Sequence, residues 1–230
     1  MPIRVKICGI TRADQALAIG HLGATTLGFI CVPASPRYIE ADQIGAIAEA
    51  LQADAHTAGL QRIGVFVDAP VAQIQQVVDR GQLTGVQLHG SETPQTCQLV
   101  KQALPHIELI KAFRVRSPET LQTVAAYDVD TLLLDAFHPQ AHGGTGQTLD
   151  WRSLRDFQSP RPWLLAGGLK PSNVAQALGE VTPAGIDLSS GVEHSPGQKN
   201  IAQVSALFEA LRSHSPTGLA TGSHERLESP

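Results

Sequence analysis

Eight short apolar runs, each bounded by turn residues and followed by a stretch of helical spacing, restrict the fold of this chain more than any other feature. They are Val5–Ile7, Thr26–Ile30, Ile63–Val67, Val86–Leu88, Leu109–Phe113, Thr131–Leu134, Trp163–Ala166 and Ile186–Leu188. The runs meet their following loops at Cys8, Cys31, Asp68, His89, Arg114, Asp135, Gly167 and Ser189, so successive junctions lie 23, 37, 21, 25, 21, 32 and 22 residues apart. A strand, a helix and two short loops fill roughly that length. Helix starts are expected at Thr11 before Ala13–Leu22, at Asp68 and Pro70 before Val71–Arg80, at Ser91 and Pro94 before Gln95–Ala103, and at Ser117 and Pro118 before Glu119–Ala126. In each, a capping residue precedes a good first-turn residue.

This repetition points to an α/β fold, a single (β/α)8 TIM barrel over residues 1–213 with few insertions. A doubly wound open sheet is the competitor, but its nucleotide-binding members carry GxGxxG after the first strand, where this chain has Cys8-Gly9-Ile10-Thr11. A length of 230 residues is long for one ordinary domain and short for two, which suits one barrel. Residues 214–230, rich in Ser, Gly, Thr and Pro and without periodicity, are expected to be disordered. Seventeen basic against 21 acidic residues and only 4% aromatics argue against a nucleic-acid groove. No apolar run approaches the roughly 20 residues that span a bilayer, and MPIRVKICGI lacks the pattern of a secretory signal. A soluble, cytoplasmic protein with no membrane partner is expected. With no long heptad or exposed apolar stripe, it is expected to be a monomer.

In such a barrel the chemistry lies where strands run into their following loops. Strand alternation places Lys6 and Cys8 on one face of the first strand, Thr131, Leu133 and Asp135 on one face of the sixth, and Asp187 and Ser189 on one face of the eighth. Val5, Ile7 and Leu188 are then expected to face the helices and the polar set the barrel mouth. Loops seven and eight read Ala166-Gly167-Gly168-Leu169 and Ser189-Ser190-Gly191-Val192. Backbone N–H groups at Gly167, Gly168 and Gly191, with the hydroxyls of Ser189 and Ser190, suit a phosphate at the start of a short extra helix; each loop also reads as a plain tight turn.

Cys8 is either a small core residue or, at a strand's carboxyl end, a base. As a base it needs its thiol brought down by a nearby cation. Lys6 is one such cation, although it can instead pair with Asp187. Cys31 and Cys97 read as structural, and with no CxxC pair neither a disulfide framework nor a zinc knuckle is indicated. Asp135 follows a mostly apolar run and leads into a loop, which suits an acid partly withdrawn from water and raised in pKa. Strands one and six lie three apart around the ring, so Cys8 and Asp135 are expected to face each other. His138 and His142 stand in a stretch with Pro139 and three glycines, which denies them the helix a metal pair needs; a cover over the site suits this loop better, and no metal is expected. Arg37 reads as a surface charge or as a planar fork for a carboxylate. His89 reads as a helix-entry residue or a substrate contact.

Together these segments resemble one family closely. Lys6-Ile7-Cys8-Gly9-Ile10-Thr11, Ser35-Pro36-Arg37-Tyr38, Gln87-Leu88-His89-Gly90, Leu132-Leu133-Leu134-Asp135, Gly143-Gly144-Thr145-Gly146 with Asp150-Trp151, Leu165-Ala166-Gly167-Gly168-Leu169 and Asp187-Leu188-Ser189-Ser190-Gly191-Val192-Glu193 look like the N-(5'-phosphoribosyl)anthranilate isomerases of tryptophan biosynthesis, in order from Val5 to about Leu211. The resemblance implies a (β/α)8 barrel that isomerises phosphoribosylanthranilate to 1-(2-carboxyphenylamino)-1-deoxyribulose 5-phosphate without metal or organic cofactor. It puts the general acid on Asp135, which protonates the furanose ring oxygen and opens the ring to an iminium. It puts the general base on Cys8, which removes the C2' proton to give an enolamine that becomes the ketone. It also gives the anthranilate carboxylate to Arg37, a place near the substrate to Asp187, and the phosphate to loops seven and eight. Family members often continue Pro-Gly-x-Lys-Asp where this chain has Pro196-Gly197-Gln198-Lys199-Asn200; Asn keeps the capping ability and loses a charge. The alternatives are another phosphosugar isomerase or epimerase barrel, and a barrel that binds a phosphate ligand without chemistry.

Overall fold

The structure, a computed structural model, describes residues 3–115, 118–136 and 151–214. Eight parallel strands close on themselves in chain order: β1 (Arg4–Cys8), β2 (Thr26–Ile30), β3 (Gln61–Phe66), β4 (Gly85–Leu88), β5 (Glu108–Val115), β6 (Thr131–Ala136), β7 (Trp163–Ala166) and β8 (Gly185–Leu188), with β8 paired to β1. All eight expected runs are strands of the barrel. Helices α1 (Ala13–Leu22), α2 (Ala41–Gln52), α3 (Val71–Gly81), α4 (Pro94–Ala103), α5 (Pro118–Thr123), α6 (Val174–Glu180) and α7 (Ile201–His214) surround it. Among the described residues between β6 and β7 there is only a 3-10 turn, Trp151–Leu154. After β8 the chain makes another such turn, Ser190–Val192, and then a small hairpin of β9 (Glu193–Ser195) and β10 (Gln198–Lys199) before α7. Those strands are too short to leave an alternating pattern, and nothing in the sequence announces them.

Alternation does the sorting expected of it. Ile63, Ile110, Ala112, Leu133, Leu164 and Ala166 form an apolar cluster of their own, contributed by β3, β5, β6 and β7. Val5, Ile7 and Leu188 belong to the larger core shared with the helices. At the amino-terminal end of the strands Arg4 donates two hydrogen bonds, at 2.6 and 2.9 Å, to the carboxylate of Glu108 on the opposite side of the ring. Thr131 Oγ1 adds a third, at 2.7 Å. Charged and polar side chains thus span the floor, and the carboxyl ends of the strands form the mouth.

Two buried ions lie outside that axis. Lys111 of β5 is 3% exposed and meets Glu92, at 1%, across 2.9 Å. Glu92 also accepts the backbone N–H groups of Asp68 and Gly90, both at 2.9 Å. One carboxylate therefore ties the loops after β3 and β4 to β5. Burial works against its charge, but these donors and the Lys111 ammonium outweigh it and hold the Glu92 carboxyl below its usual range.

Several expected helix caps differ. Thr11 does not cap α1: its hydroxyl donates 2.6 Å to the carbonyl of Gly197, and Arg12 holds the cap position without a side-chain bond. Asp68 turns away from α3 to accept Ser91 N–H at 2.7 Å, which leaves both residues outside the caps assigned to them. Thr93 caps α4 instead, accepting from Thr96 N–H at 3.2 Å. In each case tertiary hydrogen bonding wins over the local cap. Ser117 lies outside the described residues. Asn200 Oδ1 accepts Gln203 N–H at 3.1 Å, so the residue that departs from the family pattern still caps its helix. Residue 214 is the last of α7, and 215–230 lie outside the described residues. None of the helices described is long and apolar enough to cross a membrane.

Replacing Lys111 with methionine leaves the Glu92 carboxylate buried without its cation, which destabilises the fold by about 3–5 kcal/mol. Urea unfolding of Lys111→Met against the parent measures it, and a loss under about 1 kcal/mol contradicts the pairing.

Candidate active site

The inward face of β1 carries Arg4, Lys6 and Cys8 in three successive layers, because every second residue of a strand points the same way. Arg4 belongs to the floor. Lys6, fully buried, sits opposite Asp187 in the β1–β8 register, and its Nζ donates to Oδ1 at 2.8 Å. Cys8 is the top layer, 5% exposed at the bottom of the mouth. Gly28 on the neighbouring strand makes room for it, since a Cβ there would lie 2.7 Å from the Cys8 sulfur and 3.0 Å from Lys6 Nζ. Gly28 drew no attention in the sequence because its only signal is the absence of a side chain.

Asp135, next to last in β6, lines the same cavity as Cys8, with its side chain 30% exposed. Beside it His89 Nε2 lies 3.4 Å from Oδ2. The ring is aimed there by Gln87, whose amide is 2.8 Å from Nδ1. Gln87 and His89 share a face of the β4 end, so alternation again accounts for the contact. His89 is thus a neighbour of the expected acid, and not the opening residue of α4.

Loops seven and eight close the third side. Gly167 and Gly168 turn with φ of 91° and 66°, a region costly for any residue with a side chain. Gly191 packs against loop seven so closely that a Cβ would fall 1.9 Å from the Leu169 carbonyl oxygen. The two loops are fitted to one another, which a pair of independent tight turns does not require. The expected short extra helix is the single 3-10 turn Ser190–Val192.

Cys8, Arg37, His89, Asp135, Gly167, Gly168, Asp187, Ser189, Ser190 and Gly191 all line one cavity of about 290 Å³. Ten side chains and backbone segments singled out from sequence therefore converge. The loop with His138 and His142 lies outside the described residues.

Two expectations change. The grip expected of Arg37 is already used: Nε and Nη2 hold Glu193 at 2.6 to 3.1 Å, side-on and bidentate. Glu193, 4% exposed, also accepts Lys199 Nζ at 2.7 Å and Gly197 N–H at 3.2 Å. Lys199 in turn donates to the backbone carbonyl of Cys8 and, at 3.4 Å, to that of Ser189. Burial opposes the Glu193 charge, yet Arg37 and Lys199 keep its carboxyl below the usual range. This brace joins the loop after β2, the end of β1 at Cys8 and the loop after β8. It was missed from sequence because Lys199 and Glu193 read there only as parts of a motif.

The second change concerns Cys8. Burial pushes its thiol up, and the pull of Lys6 and Lys199 does not overcome burial together with the nearby Asp187 charge. Lys6 does pull the thiol down as expected, but burial, with the Asp187 charge added, outweighs it. Lys6 itself is held above its ordinary range: burial lowers it, but Asp187 and Cys8 outweigh burial. Burial also raises Cys31 to about 12 and Cys97 to about 11, as suits structural thiols.

Comparison with known proteins agrees with this arrangement. Residues 5–210 match the family described as N-(5'phosphoribosyl)anthranilate (PRA) isomerase. An N-(5'-phosphoribosyl)anthranilate isomerase of Rippkaea orientalis is 55% identical over 215 residues, 93% of this chain and 98% of the relative. The crystal structure of the Thermotoga maritima phosphoribosyl anthranilate isomerase superposes with a TM-score of 0.81 at 35% identity, covering 92% of this chain and 99% of that one. A further solved isomerase, 33% identical with a TM-score of 0.78 over 92% of this chain and 99% of its own, is in complex with reduced 1-(o-carboxyphenylamino)-1-deoxyribulose 5-phosphate.

Because burial raises the Cys8 thiol above its ordinary range, it stays protonated at neutral pH in the ligand-free protein. Iodoacetamide alkylation of Cys8, followed by peptide mass spectrometry, is therefore expected to be at least about tenfold slower than for free cysteine at pH 7.5 and still rising at pH 9. A plateau by pH 8 would show a lowered thiol instead. With barrel, cavity and likeness in agreement, the chain belongs to the N-(5'-phosphoribosyl)anthranilate isomerase family.

Proposed function

We propose that the mouth of this barrel performs the family's Amadori rearrangement with Asp135 as general acid and Cys8 as general base. The observation that carries this is their convergence: an acid from β6 and a thiol from β1 line one cavity from strands three apart, with the fitted glycine loops between them. The phosphate is held by the backbone at Gly167, Gly168 and Gly191 with the hydroxyls of Ser189 and Ser190, which fixes the sugar between acid and base. Asp135 gives its proton to the furanose ring oxygen as the C1'–O bond breaks. The anthranilate nitrogen supplies the electron pair for a C1'=N iminium. Cys8, as thiolate, takes the proton from C2'. That pair of electrons forms C1'=C2' and neutralises the nitrogen, and the resulting enolamine tautomerises to the 2'-ketone.

The raised thiol fits this order. A base is needed only after ring opening; the iminium is then a cation above the sulfur, which favours loss of the thiol proton to solvent and leaves the thiolate to take the C2' proton. Asp187 acts through Lys6, whose charge it balances, and His89 flanks the acid. Arg37, with its Nε edge on Glu193, offers its end-on edge to the anthranilate carboxylate. The proton moves at the ring oxygen and at C2', with the nitrogen supplying and then recovering the electron pair, so neither metal nor organic cofactor enters the scheme. The working unit is the monomer: among the described residues only three large apolar side chains, Tyr38, Val67 and Leu99, are exposed.

Loss of fluorescence from phosphoribosylanthranilate reports turnover. Cys8→Ser and Asp135→Asn are each expected to lower kcat by at least about 100-fold with modest change in KM, whereas Arg37→Ala mainly raises KM. Near-normal turnover in either of the first two removes the assignment, and an unchanged KM in the third removes Arg37 from the binding site.

A further inference from the structure

We propose that His21, Asp54 and His56 bind a divalent transition-metal ion of the zinc, nickel or copper type, on the face of the barrel opposite the mouth. His21 stands in the last turn of α1, just before the chain enters β2. Asp54 and His56 occupy the turn between α2 and β3. Both segments lie where helices end and strands begin, the far side from the carboxyl ends of the strands. From sequence, metal binding comes into question only at His138 and His142; His21 is 33 positions from Asp54, and the packing of α1 against this turn brings them together.

The donor atoms of the three residues all lie within 4.8 Å of one another. His21 Nε2 is 2.9 Å from Asp54 Oδ2, and His56 Nδ1 is 3.9 Å from Oδ1. Bonds of about 2.0–2.1 Å in a tetrahedral centre separate neighbouring donors by about 3.4 Å. The two rings meet different oxygens of the carboxylate, and with one donor atom from each residue within 4.8 Å of the others, rotation of the exposed rings brings the set to that spacing. The imidazole rings already incline towards each other, with centroids 5.3 Å apart.

The carboxylate is held ready for this use. Its Oδ1 accepts the backbone N–H groups of His56 and Thr57, at 2.9 and 3.2 Å, which leaves Oδ2 turned to His21. Thr57 is fully buried and its hydroxyl is anchored on the Leu51 carbonyl at 2.8 Å, so the turn that carries two of the three donors is fixed to α2. The ring of His56 is 79% exposed and free to swing onto an ion. Two imidazoles and one carboxylate with a fourth position open to water suit borderline ions; calcium and magnesium, which demand several oxygen ligands, are poorly served. The ion would tie α1 to the α2–β3 turn and stabilise the folded chain, without contact with the catalytic cavity.

The full chain, made without a histidine tag and stripped by chelator, is titrated with zinc chloride by calorimetry and scanned for its melting temperature. One zinc per chain is expected, with Tm rising by about 5–10 °C at a hundred times Kd and falling back on addition of chelator. His21→Ala and His56→Ala should each weaken binding by at least about tenfold. Because the His56 ring is exposed, His56→Ala keeps its fold and stands as the test should His21→Ala not. Absence of saturable binding, or zinc affinity unchanged in His56→Ala, overturns the proposal.

Discussion

The mouth of this barrel depends on charges buried in pairs. Lys6 has no contact with solvent, yet it sits directly below Cys8 because Asp187, its register partner on β8, is 2.8 Å away. An unpaired ammonium in that position would give up its proton or expel its strand. Paired, it stays charged beneath the thiol and pulls it down, but by less than burial pushes it up. In the proposed scheme this keeps Cys8 protonated until a cationic intermediate forms above it, so ring opening precedes proton abstraction.

A second buried group carries the same logic outward. Glu193 receives Arg37 on one side and Lys199 on the other, and Lys199 holds the carbonyls of Cys8 and Ser189. The hairpin that follows β8 places these residues, so three loops of the mouth are set by one carboxylate and not by separate local turns. Removing either cation would leave the others misaligned and one charge uncompensated, a cost of several kcal/mol. The positions of Arg37 and of the Cys8 end of β1 are therefore coupled.

Much of this was legible in the sequence for a physical reason. Strand alternation has a period of two, so once eight runs are recognised, the inward residues Lys6, Cys8, Asp135 and Asp187 follow by parity, and the mouth follows from strand direction. What local reading could not reach was decided by contacts distant in the chain. Thr11 left its cap for Gly197, and Asp68 left its own for Ser91. The Arg37 guanidinium met Glu193, 156 residues on. The thiol of Cys8 moved up where Lys6 alone suggested down, because burial and Asp187 are properties of the assembled barrel.

The most direct test of acid and base on opposite sides of one cavity is a crystal structure of this chain with reduced 1-(o-carboxyphenylamino)-1-deoxyribulose 5-phosphate. Expected is a phosphate on the backbone of Gly167, Gly168 and Gly191, with C2' in van der Waals contact with the Cys8 sulfur and the Asp135 carboxyl within hydrogen-bond reach of the ring-derived hydroxyl. A ligand whose phosphate lies elsewhere, or whose C2' faces away from Cys8, contradicts it.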